Sequence, residues 1–198
     1  YGLASRISLA FGASADTIGV AFEKGVEGKR VGGAGWWNTI AVSEEIRKEG
    51  LVAKNFMCDA FSNEMKNDVI KYIKEEFGGK IDLLVYSLAS AVRTDPNTGE
   101  MYRSALKSTN KEITGPTINL EKETMEMGTM GIATEEEISS TVKVMGGEDW
   151  KLWIKFLDNA GVLTENFKTV AYSYLGPKVT YGIYKEGTIG AAKRDLEG

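Results

Sequence analysis

The chain has 198 residues, 42% of them apolar, and a formal net charge of −4; this suffices for a globular core and gives no electrostatic footprint for nucleic acid. Histidine is absent, which excludes Ser-His-Asp and Cys-His catalysis and histidine-ligated metal sites, so acid–base chemistry falls to Tyr, Lys, Asp or Glu. The lone Cys58 excludes an internal disulfide and suits a reducing cytoplasm.

No apolar run approaches the ~18–20 residues of a membrane span, and no charged-then-apolar signal segment opens the chain. Residues 1–11 read as a helix, with Leu3, Ile7 and Ala10 or Phe11 at helical spacing. Residues 16–23 form an apolar strand, 36–49 a helix and 51–60 a second strand. Cys58 closes that run, which predicts an inert buried thiol. An amphipathic helix follows from Ser62 to Phe77, with Val69, Ile70, Ile73 and Phe77 as its apolar stripe. Residues 81–89 are a continuous apolar run, the pattern of a strand buried on both faces, and 168–176 look the same. Helices are predicted around 134–144 and 147–160. For Trp36, Trp37, Trp150 and Trp153 packing is the expected role.

The alternation predicts an α/β fold, a Rossmann-like doubly wound parallel sheet. Residues 100–133 break it. Their Thr-rich strands around Gly115 and Pro116 read as a hairpin insertion. Met125, Met127 and Met130 suit either a flexible acyl pocket or plain core filling, because methionine packs adaptably.

Three Tyr/Lys pairs compete in 171–195. Tyr174 with Lys178, and Tyr181 with Lys185, have the Tyr-x3-Lys spacing that shares one helix face. Gly176 and Pro177 interrupt the first pair, and Gly182 weakens the second. Tyr184 and Lys193 are nine positions apart, about 180° around an ideal helix. They meet only if Tyr184 precedes a break at Gly187 and Lys193 lies on a new helix capped by Thr188.

Residues 1–6 (YGLASR), 22–24 (FEK), 58–62 (CDAFS), 86–90 (YSLAS) and the Tyr-x8-Lys block resemble, in that order, the trans-2-enoyl-CoA reductases. These are also called type V NADH-dependent enoyl-acyl-carrier-protein reductases, enlarged relatives of the short-chain dehydrogenases. The similarity runs along essentially the whole chain. Family members are longer, so residues 1–198 are expected to be a single NAD-binding reductase domain incomplete at both ends.

The resemblance implies NADH as cofactor and an enoyl-CoA or enoyl-acyl-carrier-protein thioester as substrate, reduced to the saturated acyl thioester in fatty acid synthesis. Tyr184 and Lys193 are then the catalytic pair and Tyr174 a substrate contact. Tyr1 and Gly2 match the tail of the family's phosphate loop, at the helix N-terminus that faces the pyrophosphate. Phe22 and Glu23 end the next strand, where an acidic residue hydrogen-bonds the adenosine ribose. A carboxylate there repels a 2′-phosphate and favours NADH over NADPH. Asp59 and Ala60 are matched to adenine contacts, although Asp59 is also a candidate helix cap. Leu88 and Ala89 are matched to the cofactor backbone, and Lys193 to ribose hydroxyls. Two other readings stay open: a non-catalytic nucleotide-binding module, and a ketone-reducing dehydrogenase using Tyr181 and Lys185.

Overall fold

A computed structural model describes residues 2–174 and 176–198. In chain order the elements are α1 (Gly2–Ala13), β1 (Thr17–Ala21), β2 (Val26–Glu27), β3 (Arg30–Val31), α2 (Ala34–Lys48), β4 (Ala53–Met57), α3 (Asn63–Glu76) and β5 (Ile81–Tyr86). They continue with β6 (Val92–Thr94), β7 (Met101–Arg103), β8 (Ile113–Asn119), β9 (Thr124–Met130), α4 (Glu135–Met145), α5 (Glu148–Asn159) and β10 (Leu163–Ala171). A 3-10 turn (Lys178–Thr180), α6 (Tyr181–Tyr184) and α7 (Thr188–Glu197) close the chain. Among the described residues no helix is long and apolar enough to cross a membrane. The chain divides into two compact units, Tyr1–Ser87 with Trp153–Tyr172, and Leu88–Leu152 with Ser173–Gly198.

In the first unit, β1 pairs in parallel with β4 from Thr17↔Ala53 to Ala21↔Met57. The α2 crossover that joins them is what a parallel pair requires. β5 pairs in parallel with β10. Helix α1 packs against both β1 and β5. Buried Arg6 anchors it: Nε donates to Thr17 Oγ1 at 2.8 Å, Nη2 to the Lys54 carbonyl at 3.2 Å, and Nη1 to Asn55 Oδ1. Gly19 leaves the guanidinium its room, since a Cβ there would stand 2.8 Å from Nη1. Burial, and then the nearby charge of Arg47, lower the Arg6 pKa to about 10.

Helix α3 starts where Ser62 Oγ accepts the Met65 amide at 3.1 Å. Its buried face is Met65, Lys66, Val69 and Ile73, at the i, i+4, i+8 spacing of a helix stripe. Burying a side chain such as Ile73 contributes about 1.5–3 kcal/mol. Ile70 and Phe77, expected in this stripe, are only half-buried. The fully buried Lys66 ammonium donates to the Ala60 and Phe61 carbonyls at 3.2 and 2.8 Å and faces the Trp153 ring at 5.2 Å.

Several expectations change. The β5 run is not buried on both faces: Leu83 and Val85, with Val170 and Tyr172 of the β10 strand and its end, line an open groove of about 370 Å³ beneath Ala4, Ser5, Ser8 and Leu9 of α1. β10 begins at Leu163, five residues before the apolar signal, because its first half pairs through an irregular register. Cys58 is exposed. It lies one residue beyond the end of β4, where the chain has left the apolar layer. Trp153 is buried as expected, whereas Trp37 is 51% exposed and donates its indole N–H to the Val31 carbonyl at 2.7 Å.

In the second unit β8 and β9 form the expected hairpin. Gly115 and Pro116 lie within β8, opposite Gly128 and Met127, not at its turn. The turn falls at residues 120–123, where Asn119 Oδ1 accepts the Lys122 amide at 3.1 Å and Glu123 takes a left-handed φ of 51°. Met125 and Met127 are largely exposed on this hairpin, so they do not fill a core. Helix α4 opens with a capping box of Thr134 and Glu137 and packs against α7.

Candidate functional site

Both ends of the Tyr-x8-Lys block lie in the second unit. α6 ends at Tyr184, the chain breaks at Gly187, and α7 carries Lys193. The break is tight. A Cβ on Gly187 would run into the Gly182 and Ile183 carbonyls, and one on Gly190 into the Lys185 carbonyl. These close approaches let α7 start directly beside α6. Thr188 does not cap α7, as the sequence suggested; Gly187 is the N-cap residue. The buried Thr188 hydroxyl instead donates to the Ala105 and Lys107 carbonyls, and its amide donates to Lys107 at 2.9 Å. That bonding ties the start of α7 to the strand-end segment after β7.

The result is a cluster of three side chains. The Tyr174 and Tyr184 rings meet edge to face, with centroids 5.0 Å apart. Lys193 Nζ lies 5.5 Å from the Tyr174 ring centre and 5.8 Å from that of Tyr184, within cation–π range. The Nζ atom is buried and has no hydrogen-bond partner among the described residues. Burial lowers the Lys193 pKa from its usual 10.5, against a raising influence from Glu197. An ammonium in this condition is a donor awaiting an acceptor.

The competing pairs differ. Lys178 lies in the 3-10 turn, exposed, while Tyr174 turns to Tyr184. Lys185 Nζ does lie over Tyr181, at 4.9 Å. Lys185 is exposed, however.

The residues matched to the nucleotide are spread over strand ends. In the first unit Gly2 opens α1 beside Ser87, which follows β5. Tyr1 lies outside the described residues. Phe22 and Glu23 follow the end of β1, with Phe22 75% exposed. The Glu23 carboxylate lies against Gly33 and Gly35 at the entry to α2. Asp59 follows β4, and its Oδ1 accepts the Phe61 amide at 2.9 Å while its carbonyl receives the Ser62 hydroxyl and amide. Ser62, not Asp59, caps α3. Ala60 is buried, and its carbonyl accepts from Lys66 and from the Trp153 indole at 3.1 Å. Leu88 and Ala89 lie in the loop after β5 and group with the second unit, Ala89 exposed.

Sequence reasoning named Gly187 as the break but missed the close approaches that shape these places. Gly35, Gly187 and Gly190 stand where a neighbour occupies the position of a Cβ. Their spacing along the chain carries no signal of that. Among the described residues no cluster of acidic or thiol side chains is arranged for a metal.

Comparison with known proteins gives a consistent result. Residues 30–198 match the model of the trans-2-enoyl-CoA reductase catalytic region, and residues 1–28 match that of the NAD(P)H binding domain of trans-2-enoyl-CoA reductase. The chain is 59% identical over 197 residues to enoyl-[acyl-carrier-protein] reductase [NADH] 2 of Photobacterium profundum, covering 99% of this chain and 49% of that protein. It is 57% identical to the trans-2-enoyl-CoA reductase [NADH] of Clostridium beijerinckii, covering 100% of this chain and 50% of that protein. The structure superposes on the Clostridium acetobutylicum trans-2-enoyl-CoA reductase in complex with NADH with a TM-score of 0.93 at 52% identity, over 100% of this chain and 50% of that one. A short-chain dehydrogenase from Burkholderia cenocepacia matches at TM-score 0.51 and 16% identity, over 98% of this chain and 59% of that one. That likeness shows the α/β, Rossmann-like fold alone. The chain spans about half the length of the curated relatives it matches.

Proposed function

The chain belongs to the trans-2-enoyl-CoA reductase family, and we propose from that premise that it serves NADH-dependent reduction of the trans-2 double bond of enoyl-CoA or enoyl-acyl-carrier-protein thioesters. The observation that carries this reading is the buried Lys193 ammonium, lacking a hydrogen-bond partner among the described residues and facing the rings of Tyr174 and Tyr184.

The residues present fit a nicotinamide dinucleotide. Lys193 has unsatisfied donors for ribose hydroxyls, and Glu23 has the strand-end position of a ribose-binding carboxylate. When bound, NADH supplies the hydride that adds to the β-carbon of the enoyl thioester. Tyr184 then donates a hydrogen bond or proton to the thioester oxygen, where negative charge develops. Lys193 holds the ribose and places a positive charge beside that phenol. Tyr174, packed edge to face on Tyr184, orients it and contacts the substrate. Glu23 accepts from the adenosine ribose and repels a 2′-phosphate. Gly2, Phe22, Asp59, Ala60, Leu88 and Ala89 complete the nucleotide contacts in this reading.

Residues 1–198 act as one NAD-binding reductase domain, with about 100–133 inserted in it. Reductive fatty acid synthesis in the cytoplasm is its setting, in keeping with a single thiol.

The test is NADH oxidation with crotonyl-CoA by the full reading frame. Rapid oxidation that requires the thioester and is much slower with NADPH supports the reading. Oxidation only with a panel of ketones would transfer the activity to Tyr181 and Lys185, and no oxidation by a folded, NADH-binding protein would leave a nucleotide-binding module.

A further inference from the structure

Glu23 and Gly35 meet at the entry to α2. Glu23 follows the end of β1, and Gly35 is the second residue of α2. A Cβ placed on Gly35 would stand 2.8 Å from Glu23 Oε2 and would overlap Oε1 and Cδ outright. The same Oε2 is 3.3 Å from the Cβ position of Gly33, the N-cap residue. No side chain fits at position 35 while the carboxylate stays where it is.

The glycine is not there for its backbone. Gly35 is absent from the left-handed positions of the chain and lies within a helix, where alanine is the better former. Space explains it. We propose that Gly35 is a positioning residue: its missing side chain is the seat that holds the Glu23 carboxylate, and it thereby sets the preference for a nucleotide with a free 2′-hydroxyl over one with a 2′-phosphate.

This rests on the ribose-binding reading of Glu23. A carboxylate discriminates between hydroxyl and phosphate only from a defined position, because a displaced side chain loses the hydrogen bond and moves its repulsion elsewhere. The seat lies at the N-terminal end of α2, which favours an anion. The atoms that a methyl would meet at Gly35 are the far end of a flexible side chain, not backbone. Gly35→Ala therefore swings Glu23 away and leaves the fold standing.

The test measures dissociation constants for NADH and NADPH in the full-length protein, with Gly35→Ala, Glu23→Gln and the two together. Gly35→Ala lowers the preference for NADH about tenfold, as for one lost hydrogen bond to a charged group. Glu23→Gln lowers it at least as far, and the double variant falls no further than Glu23→Gln alone. If Glu23→Gln lowers the preference and Gly35→Ala does not, the seat is unimportant and the proposal is overturned. Additive losses in the double variant overturn it as well, since Gly35 would then act by another route. If Glu23→Gln itself leaves the preference intact, the ribose reading has failed and the proposal falls with it. Should Gly35→Ala depress the melting temperature, Glu23→Asp added to it withdraws the carboxylate by one methylene and clears the methyl. Recovery of both the melting temperature and part of the preference supports the seat, and recovery of neither overturns it.

Discussion

Lys193 Nζ stands 5.8 Å from the centre of the Tyr184 ring, although the two residues belong to different helices and would face opposite ways on one continuous helix. The break at Gly187 resolves this. It ends one helical phase after Tyr184 and starts another at Thr188. The pairing is thus a product of the backbone turn, not of helical spacing.

Tyr184→Phe removes the hydroxyl and keeps the ring that packs on Tyr174. Turnover of crotonyl-CoA by the full-length protein is expected to fall ~10²–10⁴-fold, the usual loss for a positioned acid. NADH affinity should stay close to that of the unaltered protein. Near-normal turnover would remove Tyr184 from the reaction.

Lys193→Met separates binding from stability. On the proposed ribose contact of Lys193, NADH binding is expected to weaken and turnover of the full-length protein to be lost. The unliganded protein melts at a higher temperature, because a buried ammonium without a hydrogen-bond partner among the described residues has been removed. Burial holds the folded-state pKa of Lys193 below 10.5. Between the folded and unfolded values the unfolded state binds more protons, so stability rises with pH just below 10.5. That rise is diminished in the variant. Melting curves across this range, with unchanged slope, would show that Lys193 carries no such burden.

Much of this arrangement was legible beforehand. The alternation of apolar strands with amphipathic helices follows from local periodicity, and so did β1, β4, α3 and the break at Gly187. The exposure of Cys58 was not legible, because a single position beyond a strand end separates the buried layer from solvent. Leu83 has the composition of a doubly buried strand residue, yet it faces an open groove; composition carries no information on which neighbour is present. The contact of Glu23 with Gly35 is likewise a property of the folded chain, invisible to any local pattern.

Gly190→Ala and Gly12→Ala make an informative pair. Both glycines lie within helices, where alanine gains roughly 0.5–1 kcal/mol in the absence of contacts. A Cβ on Gly12 meets nothing within 4 Å, so this substitution should raise the melting temperature. A Cβ on Gly190 collides with the Lys185 backbone carbonyl, and overpacking of that kind costs about 1–3 kcal/mol. It also pushes α7 from α6 and carries Lys193 away from Tyr184, so turnover falls with stability. Equal melting temperatures for the two variants would contradict the close approach.

Acid sensitivity of the second unit should centre on Glu148. Arg93 is 1% exposed, and its Nη1 donates to the Glu148 carboxylate at 2.7 Å and to the Lys143 carbonyl at 2.6 Å. Lys143 Nζ reaches the other Glu148 oxygen at 2.7 Å. Burial alone would raise the Glu148 pKa, but the hydrogen bonds from Lys143 and Arg93 outweigh it and hold the group below 4.5. A depressed carboxylate contributes stability that is present above its unfolded value and lost as pH falls through the folded one. Asp95, held down by the Asn97 and Thr98 amides, adds to the loss in the same range. Glu148→Gln leaves the Arg93 guanidinium facing a neutral amide, and it should cost about 1–3 kcal/mol near neutral pH, below a fully buried pair because the carboxylate is partly solvated. Lys143→Met should cost less, since Glu148 then keeps its pairing with the buried Arg93. With Glu148→Gln the fall in stability on acidification is shallower, because one depressed carboxylate is gone while Asp95 and Glu137 still titrate. Chemical denaturation at neutral pH and again below pH 4.5 measures both effects, and an unchanged acid slope would show that Glu148 does not bear the load.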